Sequence, residues 1–414
     1  MRILMTSHGY PPSVSGVTLV VQKIARAMAR RGHAVTVVTA SDRPDPYDDE
    51  DEGVRLVRVR SAPNPFWEEG PIPFIGQKDL EEIAAHVQPD ILHAHDAAVL
   101  GLQLVRLSRN TGLPLMATCY YVPRFVARHV MWSDEPPEVI ESMVWAYSTW
   151  FFNQFDHVVF ATAAHQQLFS QKGLHVPRTI ISNGVDTTRY RPLDDPAEDV
   201  GERYGLPPGQ RILFVSRLAK DKEIDILIRA MPHVCAEREA HLLLVGRGDD
   251  RVRLEALTKE LGLQWCVHFL GFVPEEDMPA LYRAANLFAI ASTCEVQSLP
   301  TLQATAAGLP VVAADAVALP ELVRDGFNGF LVPPGEPQAM ARAMLDILRG
   351  TDLAARMGRA SLSIARSHAE MRTFDLYENL YRQMIPGSFR PHRPEARMPG
   401  TSTQDGQFVL KIML

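Results

Sequence analysis

Arg217 and Lys222 stand five residues apart in SRLAKDKEID, directly after RILFVS, an apolar run that reads as a buried strand. Two cations at a strand-to-helix turn suit a diphosphate, because each charge-assisted hydrogen bond to a phosphate oxygen contributes about 1.5–3 kcal/mol. On spacing alone, the solvated first turn of a helix is the more economical account of Lys220, Lys222 and Glu223. A second stretch changes the balance. CEVQSLPTLQAT, residues 294–305, continues into a helical pattern that starts near Pro300 and ends at Gly308. A helix N-terminus at a strand edge offers free backbone N–H groups and a positive dipole end, which together bind anions. Glu295, just before it, would be disfavoured beside an anion unless its carboxylate accepts hydrogen bonds from ligand hydroxyls, such as those of a sugar.

These residues need a sheet edge to position them. Near the N-terminus, Arg2–Ser7 is a short apolar run, HGYPPSVSG is a loop by its Gly, Pro and Ser content, and Val17, Val20, Val21, Ile24, Ala27 and Met28 mark one helix face. Gly32 closes that helix and Ala34–Thr39 resumes as a strand, so the unit is a right-handed parallel crossover with HGYPPSVSG at the ligand-binding edge. The pattern returns after residue 210. RILFVS, HLLLVG, CVHFLG, LFAIA and PVVAA are strand-like, and helical spacing covers 222–238, 250–262, 275–285 and 336–349. The expected architecture is α/β, with two Rossmann-like doubly wound domains facing a central cleft.

Domain boundaries are expected at 1–188 and 189–369, with a hinge around the Asn-Gly of ISNGVDTTRYRP, a helix over 370–386 and a flexible tail over 387–414. At 414 residues the chain exceeds one core's usual reach, and 46% hydrophobic with 22% charged residues is ordinary globular composition. A net charge of −7 argues against a general nucleic-acid binder. No apolar run approaches the roughly 20 residues of a membrane span, and the opening apolar stretch is too short for a signal peptide, so a cytoplasmic protein is expected. Cys119, Cys235, Cys266 and Cys294 have neither disulfide nor zinc spacing.

Three other features compete for attention. HGYPPSVSG and VGRGDD both fail the GxGxxG pattern, which makes a nicotinamide oxidoreductase a weak rival. DPYDDEDEG at 45–53 contains an Asp-x-Asp, but a solvated acidic loop is the expected reading over a metal site. His93 and His95, in ILHAHD at a strand end, are expected to part, one packed and one lining the cleft, without gripping a metal.

With those residues in hand, the chain resembles family-4 retaining glycosyltransferases of the GT-B fold. The resemblance runs in register through YPPSVSG, RRGHAVTVVTA, PDILHAHD, ISNGVDTTRYRP, SRLAKDKEIDILI, LLLVGRGDDRVRLEAL, FLGFVPEEDMPALYRAA, TCEVQSLPTLQATAAGLPVVA and LVRDGFNGFLVPPGEPQAMA, covering residues 1 to about 385. The pattern is most similar to diacylglycerol glucosyltransferase-like enzymes. The resemblance implies that Arg217 and Lys222 bind the donor diphosphate, Glu295 the sugar hydroxyls, and the backbone around Ser298 and Leu299 the sugar and phosphate. It implies that Gly16 lets the N-terminal loop approach the same group, that Val273 meets the base edge and that Gly246 gives the base room. Acceptor-side residues would be His95, Tyr121 and Arg124. No metal or other cofactor is implied, and the leaving diphosphate itself would take the acceptor's proton.

Several positions depart from the family pattern. Tyr120 stands where a His is usual, and a phenol is a poor base at neutral pH. Ser15 and Ser298 replace common glycines, narrowing the space beside the diphosphate. Gln303 replaces the second Glu of the grip, which in the family holds ribose hydroxyls. A neutral amide there should weaken donor affinity about ten- to thirtyfold, and Gln303→Glu should recover it.

The expected partners are a nucleoside diphosphate sugar, with UDP the family's commonest carrier, and an acceptor hydroxyl. That acceptor is a lipid, with peripheral membrane contact, or a soluble aminocyclitol or secondary-metabolite scaffold. MVWAYSTWFF could be a membrane face, but an apolar stripe at this spacing is equally a helix core. The rival from another class is a non-catalytic relative that only binds nucleotide sugar; retention of Arg217, Lys222 and Glu295 argues against it.

Overall fold

Runs of Val, Ile and Leu too short for helices become parallel strands buried on both faces, as near-continuous apolar sequences must. The computed structural model describes residues 1–13, 15–64, 71–131, 137–192 and 198–385. The chain divides into two compact units: Met1–Ser182 with the residues from Phe374 on, and Asn183–Thr373. The expected tail over 387–414 lies outside the described residues.

In the first unit the strands are β1 (Arg2–Ser7), β2 (Ala34–Ala40), β3 (Tyr47–Asp51), β4 (Val54–Val59), β5 (Ser61–Ala62), β6 (Ile72–Pro73), β7 (Ile91–Ala94), β8 (Leu115–Cys119), β9 (His157–Phe160) and β10 (Arg178–Ile180). Eight of them form a sheet in the order β10-β9-β8-β7-β1-β2-β4-β3, and β5 pairs with β6 in a small ribbon. The large sheet is parallel except for β3, which runs antiparallel to β4. In place of the solvated loop expected over 45–53, the acidic run is therefore an edge strand. It pairs on one side only, with Asp48, Asp49 and Glu50 exposed and Asp51 turned inward to Arg26 Nε at 2.8 Å, Gln22 Nε2 at 3.0 Å and the Tyr10 hydroxyl at 2.8 Å. An apolar-pattern reading misses a strand held by one ladder, the half-buried Asp51 and the ion pairs of Asp48 and Asp49 with Arg55 and Arg58.

The helix Glu370–Met384 carries Phe374, Tyr377, Tyr381 and Met384 on one buried face. From Phe374 it is part of the first unit, where Arg31 pairs with Asp375 at 2.6 Å and Glu378 at 2.7 Å.

The second unit contains β11 (Gln210–Val215), β12 (Ala240–Val245), β13 (Val267–Gly271), β14 (Leu287–Ile290), β15 (Val311–Ala314) and β16 (Gly329–Val332), all parallel, in the order β13-β12-β11-β14-β15-β16. Its core packs Ile212, Phe214, Leu243, Phe288 and Val312 against Leu227, Met231, Leu302 and Met344 of the covering helices. Two helices begin later than their periodicity suggests. Glu223 takes a left-handed φ of 49°, which separates a 3₁₀ turn, Lys220–Lys222, from the helix Ile224–Cys235. Past β13 the helix is Met278–Arg283 with Pro279 in its first turn, leaving Glu275 and Glu276 outside it.

Candidate active site

The strand order of the second unit reverses between β11 and β14, and ligands of open parallel sheets bind beyond the strand C-termini at such a point. Here the β11 end delivers Arg217 and Lys222, and the β14 end delivers Glu295. The two loops are zipped together: Ser292 Oγ donates to Asp221 O at 3.2 Å, Thr293 Oγ1 donates to Glu223 Oε1, and Lys222 Nζ meets Glu295 Oε1 at 2.9 Å. Lys222 also lies 3.3 Å from Asp221 Oδ2, and Arg217 lies 4.0 Å from the same oxygen. Side chains of Lys222 and Glu295 are each only 12% exposed. This removes the plain reading of Lys222 as a solvated helix start.

Burial opposes the Lys222 charge, but Glu295 and Asp221 outweigh it and hold the ammonium pKa above that of a free lysine. The group is a fixed cation at any physiological pH. Arg217, Lys222, Asp221 and Glu295 sum to zero formal charge, so the cluster as a whole is neutral.

Directly behind Glu295 begins the helix Leu299–Ala306, with Pro300 in its first turn. Ser298 is its N-cap: Oγ accepts from Thr301 N at 3.3 Å and from Thr301 Oγ1 at 2.8 Å. Ser15 caps the helix Gly16–Arg30 in the same way, accepting from Thr18 N at 3.2 Å. Both serines therefore have a local reason to replace glycine, and their hydroxyls turn into the helix starts. The spatial narrowing expected from them is answered by that orientation. Gln297 Oε1 accepts from Asn183 N at 2.7 Å and ties the 183–185 segment to this loop, a long-range contact that sequence spacing does not show.

At the β12 and β13 ends, Gly246 has φ of 135°, and a Cβ there would stand 1.9 Å from Ser216 O. The glycine is thus required by close approach of the chain after β11, a constraint internal to the protein. Val273 is buried in the core of the second unit. Gln303 Oε1 accepts from the Tyr282 hydroxyl at 3.0 Å, and Nε2 donates to the Tyr190 hydroxyl at 2.9 Å. Tyr190 in turn donates to Glu275 Oε1 at 2.9 Å. Burial holds the phenol pKa values of Tyr190 and Tyr282 well up, so both are neutral donors.

The first unit has its own reversal, between β1 and β7. Beyond β1, the Tyr10 hydroxyl is anchored on Asp51, and Arg58 Nη2 donates to Pro11 O at 2.5 Å, so the loop leading to Gly16 is held from the β3–β4 hairpin. Beyond β7 and β8, His95 Nδ1 meets the Tyr120 hydroxyl at 2.9 Å. His93 and His95 do not part. Residues two apart on a strand share a face, and the two rings lie 3.8 Å centroid to centroid. Both are buried: His93 bridges Tyr381 at 2.7 Å and Thr118 at 2.8 Å, while His95 Nε2 is buried without a hydrogen-bond partner among the described residues. Burial lowers the His95 pKa to about 3 and lowers that of His93 as well, so both rings are neutral.

Tyr121 donates to Ser148 Oγ at 3.0 Å, and Arg124, 54% exposed, lies 3.8 Å from Glu141. Both contacts hold the helices Pro123–Met131 and Glu138–Phe152. On the latter, Trp145, Tyr147, Phe151 and Phe152 are buried, so the apolar stripe of MVWAYSTWFF is core. No helix among the described residues is long and apolar enough to cross a membrane.

Two doubly wound units, one with Arg217, Lys222 and Glu295 gathered at its switch point, fit the class of GT-B glycosyltransferases. Residues 14–189 match the family described as Glycosyltransferase Family 4, and residues 203–363 match Glycosyl transferases group 1. Alpha-monoglucosyldiacylglycerol synthase of Streptococcus pneumoniae is 27% identical over 85% of this chain and 79% of its own. D-inositol 3-phosphate glycosyltransferase of Corynebacterium aurimucosum is 27% identical over 92% of this chain and 96% of its own. Anabaena HepE, solved in complex with UDP-glucose, superposes with a TM-score of 0.74 at 23% identity, over 92% of this chain and 99% of its own. The chain belongs to glycosyltransferase family 4 and is a nucleotide-sugar glycosyltransferase.

Proposed function

We propose that this protein transfers a hexosyl group from a UDP-sugar to an acceptor hydroxyl with retention of configuration and without a metal ion. The carrying observation is the Lys222–Glu295 contact at the second unit's switch point, beside the N-terminus of the helix Leu299–Ala306. A lysine ammonium has three N–H groups; Glu295 and Asp221 account for two directions, leaving one for a phosphate oxygen. Arg217 and the backbone at Ser298 and Leu299 would share the diphosphate, and Glu295 would accept from hydroxyls of the donor sugar. The nucleoside would extend toward Gly246 and Val273.

As the glycosidic bond to the diphosphate breaks, negative charge grows on the leaving oxygen, where Lys222 and Arg217 stabilise it. That oxygen takes the acceptor's proton while the acceptor oxygen attacks the same face of the sugar. Tyr120, neutral and bonded to His95, would position donor or acceptor hydroxyls as a hydrogen-bond partner and not as a base. His95, Tyr121 and Arg124 would shape the acceptor side.

Calorimetric titration with a nucleotide panel, followed by transfer with the best sugar donor and NMR of the product's anomeric proton, tests this reading. UDP binding, an α-linked product from an α-linked donor and full activity in EDTA are the expected results. Absence of any nucleotide binding at millimolar concentration overturns it in favour of a non-catalytic relative. The named relatives act on a lipid in one case and on an inositol phosphate in the other. Liposome co-sedimentation separates a glycolipid acceptor from a soluble one; Trp145 and Phe151, being buried, would not supply the membrane contact.

A further inference from the structure

The polar chain through Gln303 has a fixed direction. A carboxylate only accepts, so the Tyr190 hydroxyl must donate to Glu275 Oε1; its oxygen is then the acceptor for Gln303, which must present its NH₂. The other end of the amide, Oε1, consequently accepts from Tyr282. Tyr190 and Tyr282 are fully buried, so Gln303 directs both ends of its amide at the protein interior. Glu275 is different. Its side chain is 44% exposed, Arg189 Nη1 lies 3.4 Å from the same Oε1 that Tyr190 holds, and Oε2 has no hydrogen bond among the described residues.

Glu275 also lies in the right place. It follows β13 by a few residues, at the C-terminal edge that bears Lys222 and Glu295. β13 is two strands from β11, about 10 Å across the sheet, a span comparable with a nucleoside reaching from its phosphate to its base. Between phosphate and base the ribose diol donates hydrogen bonds, and a carboxylate oxygen reaching inward from the β13 end is its natural acceptor. Of the carboxylates at this edge, Glu295 and Asp221 are engaged with Lys222 and Glu223 with Thr293, and Glu275 is the one joined through Tyr190 to Gln303.

We propose that Glu275, through Oε2, grips the ribose diol of the donor nucleotide, and that Gln303 acts through Tyr190 as a positioning residue that aims it; this rests on the donor site proposed above. The charge absent at position 303 is supplied two hydrogen bonds away, through Tyr190. A carboxylate at 303 would accept at both ends and compete with Glu275 for the single Tyr190 proton, so glutamine here is what allows the acid to act from 275.

The test is calorimetric titration of the full chain with UDP and with 2′,3′-dideoxy-UDP, comparing the native protein with Glu275→Gln, Tyr190→Phe and Gln303→Glu. The native protein should prefer UDP by roughly 10- to 100-fold. Glu275→Gln should lose most of that preference with its dideoxy-UDP affinity unchanged, Tyr190→Phe should lose part of it, and Gln303→Glu should not tighten UDP. Dideoxy-UDP affinity serves as the control for folding, since a merely structural defect would lower both affinities together. An unchanged UDP preference in Glu275→Gln, or tighter UDP binding by Gln303→Glu, overturns the proposal while leaving the donor site intact. If the native protein binds UDP without any preference for the diol, the proposal also falls. If it binds neither nucleotide, the donor site and this proposal fall together.

Discussion

Replacing Lys222 by methionine keeps most of the side-chain volume and removes the charge, which isolates the contribution of its ammonium group. One direct hydrogen bond from an ammonium to a phosphate oxygen contributes about 1.5–3 kcal/mol, so UDP affinity should fall roughly 10- to 150-fold. A second effect has to be separated from that one. Glu295, 12% exposed and 2.9 Å from Nζ, loses its cation together with Asp221, and the stranded carboxylates should lower stability by about 1–3 kcal/mol and repel a diphosphate. The double variant Lys222→Met with Glu295→Gln removes one stranded charge. It should recover thermal stability but little UDP affinity, whereas Glu295→Gln alone should bind UDP at least as well as the native protein and lose transfer. Calorimetric titration with UDP, a urea melt and a transfer assay on all four proteins provide the comparison. UDP affinity within twofold of native in folded Lys222→Met would refute the reasoning. So would full recovery of affinity in the double variant, since Lys222 would then act only by neutralising Glu295.

Other outcomes follow from the same geometry. His95 and His165 are held by burial at pKa values of about 3 and about 4, below the 6.5 of an unfolded chain. The unfolded state therefore takes up protons first as pH falls below about 6.5, and stability present above that pH is lost on the way down by up to about 1.4 kcal/mol per pH unit for each ring; urea midpoints at pH 7.5, 6 and 5 should show the decline. Gly246→Ala forces a side chain into a left-handed conformation against Ser216 O and should lower stability by several kcal/mol or prevent soluble expression, read by thermal melting. Ser298→Ala should cost about 1 kcal/mol through loss of the cap, and Ser298→Gly only a few tenths, a difference a urea titration resolves.

What could be read from sequence was local. The strand runs, the caps and breakers around them, and the placement of Arg217, Lys222 and Glu295 next to loops all depend on residues within a few positions of each other. The periodicity at 222–238 overran the helix Ile224–Cys235 at both ends, and at its start the left-handed Glu223 that sets Lys222 in its own turn leaves no apolar signature. His93 and His95 were separable from a metal pair only by their partners, Tyr381, Thr118 and Tyr120, which lie 25 or more residues away. The Gln303 chain joins positions 190, 275, 282 and 303, and no spacing rule links them. Read alone, glutamine at 303 looks like a subtraction; its meaning depends on a tyrosine and a glutamate from two other loops. The acidic strand Tyr47–Asp51 was missed for a related reason, since edge pairing and Asp51's partners Tyr10, Gln22 and Arg26 are all tertiary.

The helix that contributes Tyr377 and Tyr381 to the first unit also sets an order of events during synthesis. When the first 182 residues have left the ribosome, His93 and Thr118 still lack the two phenols they bond, and Arg31 lacks both of its carboxylates. The second unit, being contiguous from Asn183 to Thr373, can close before those groups arrive. The half of the protein that is translated first is thus the half completed last. A fragment cut at residue 182 should be insoluble or loosely packed until a peptide spanning 370–385 is added back.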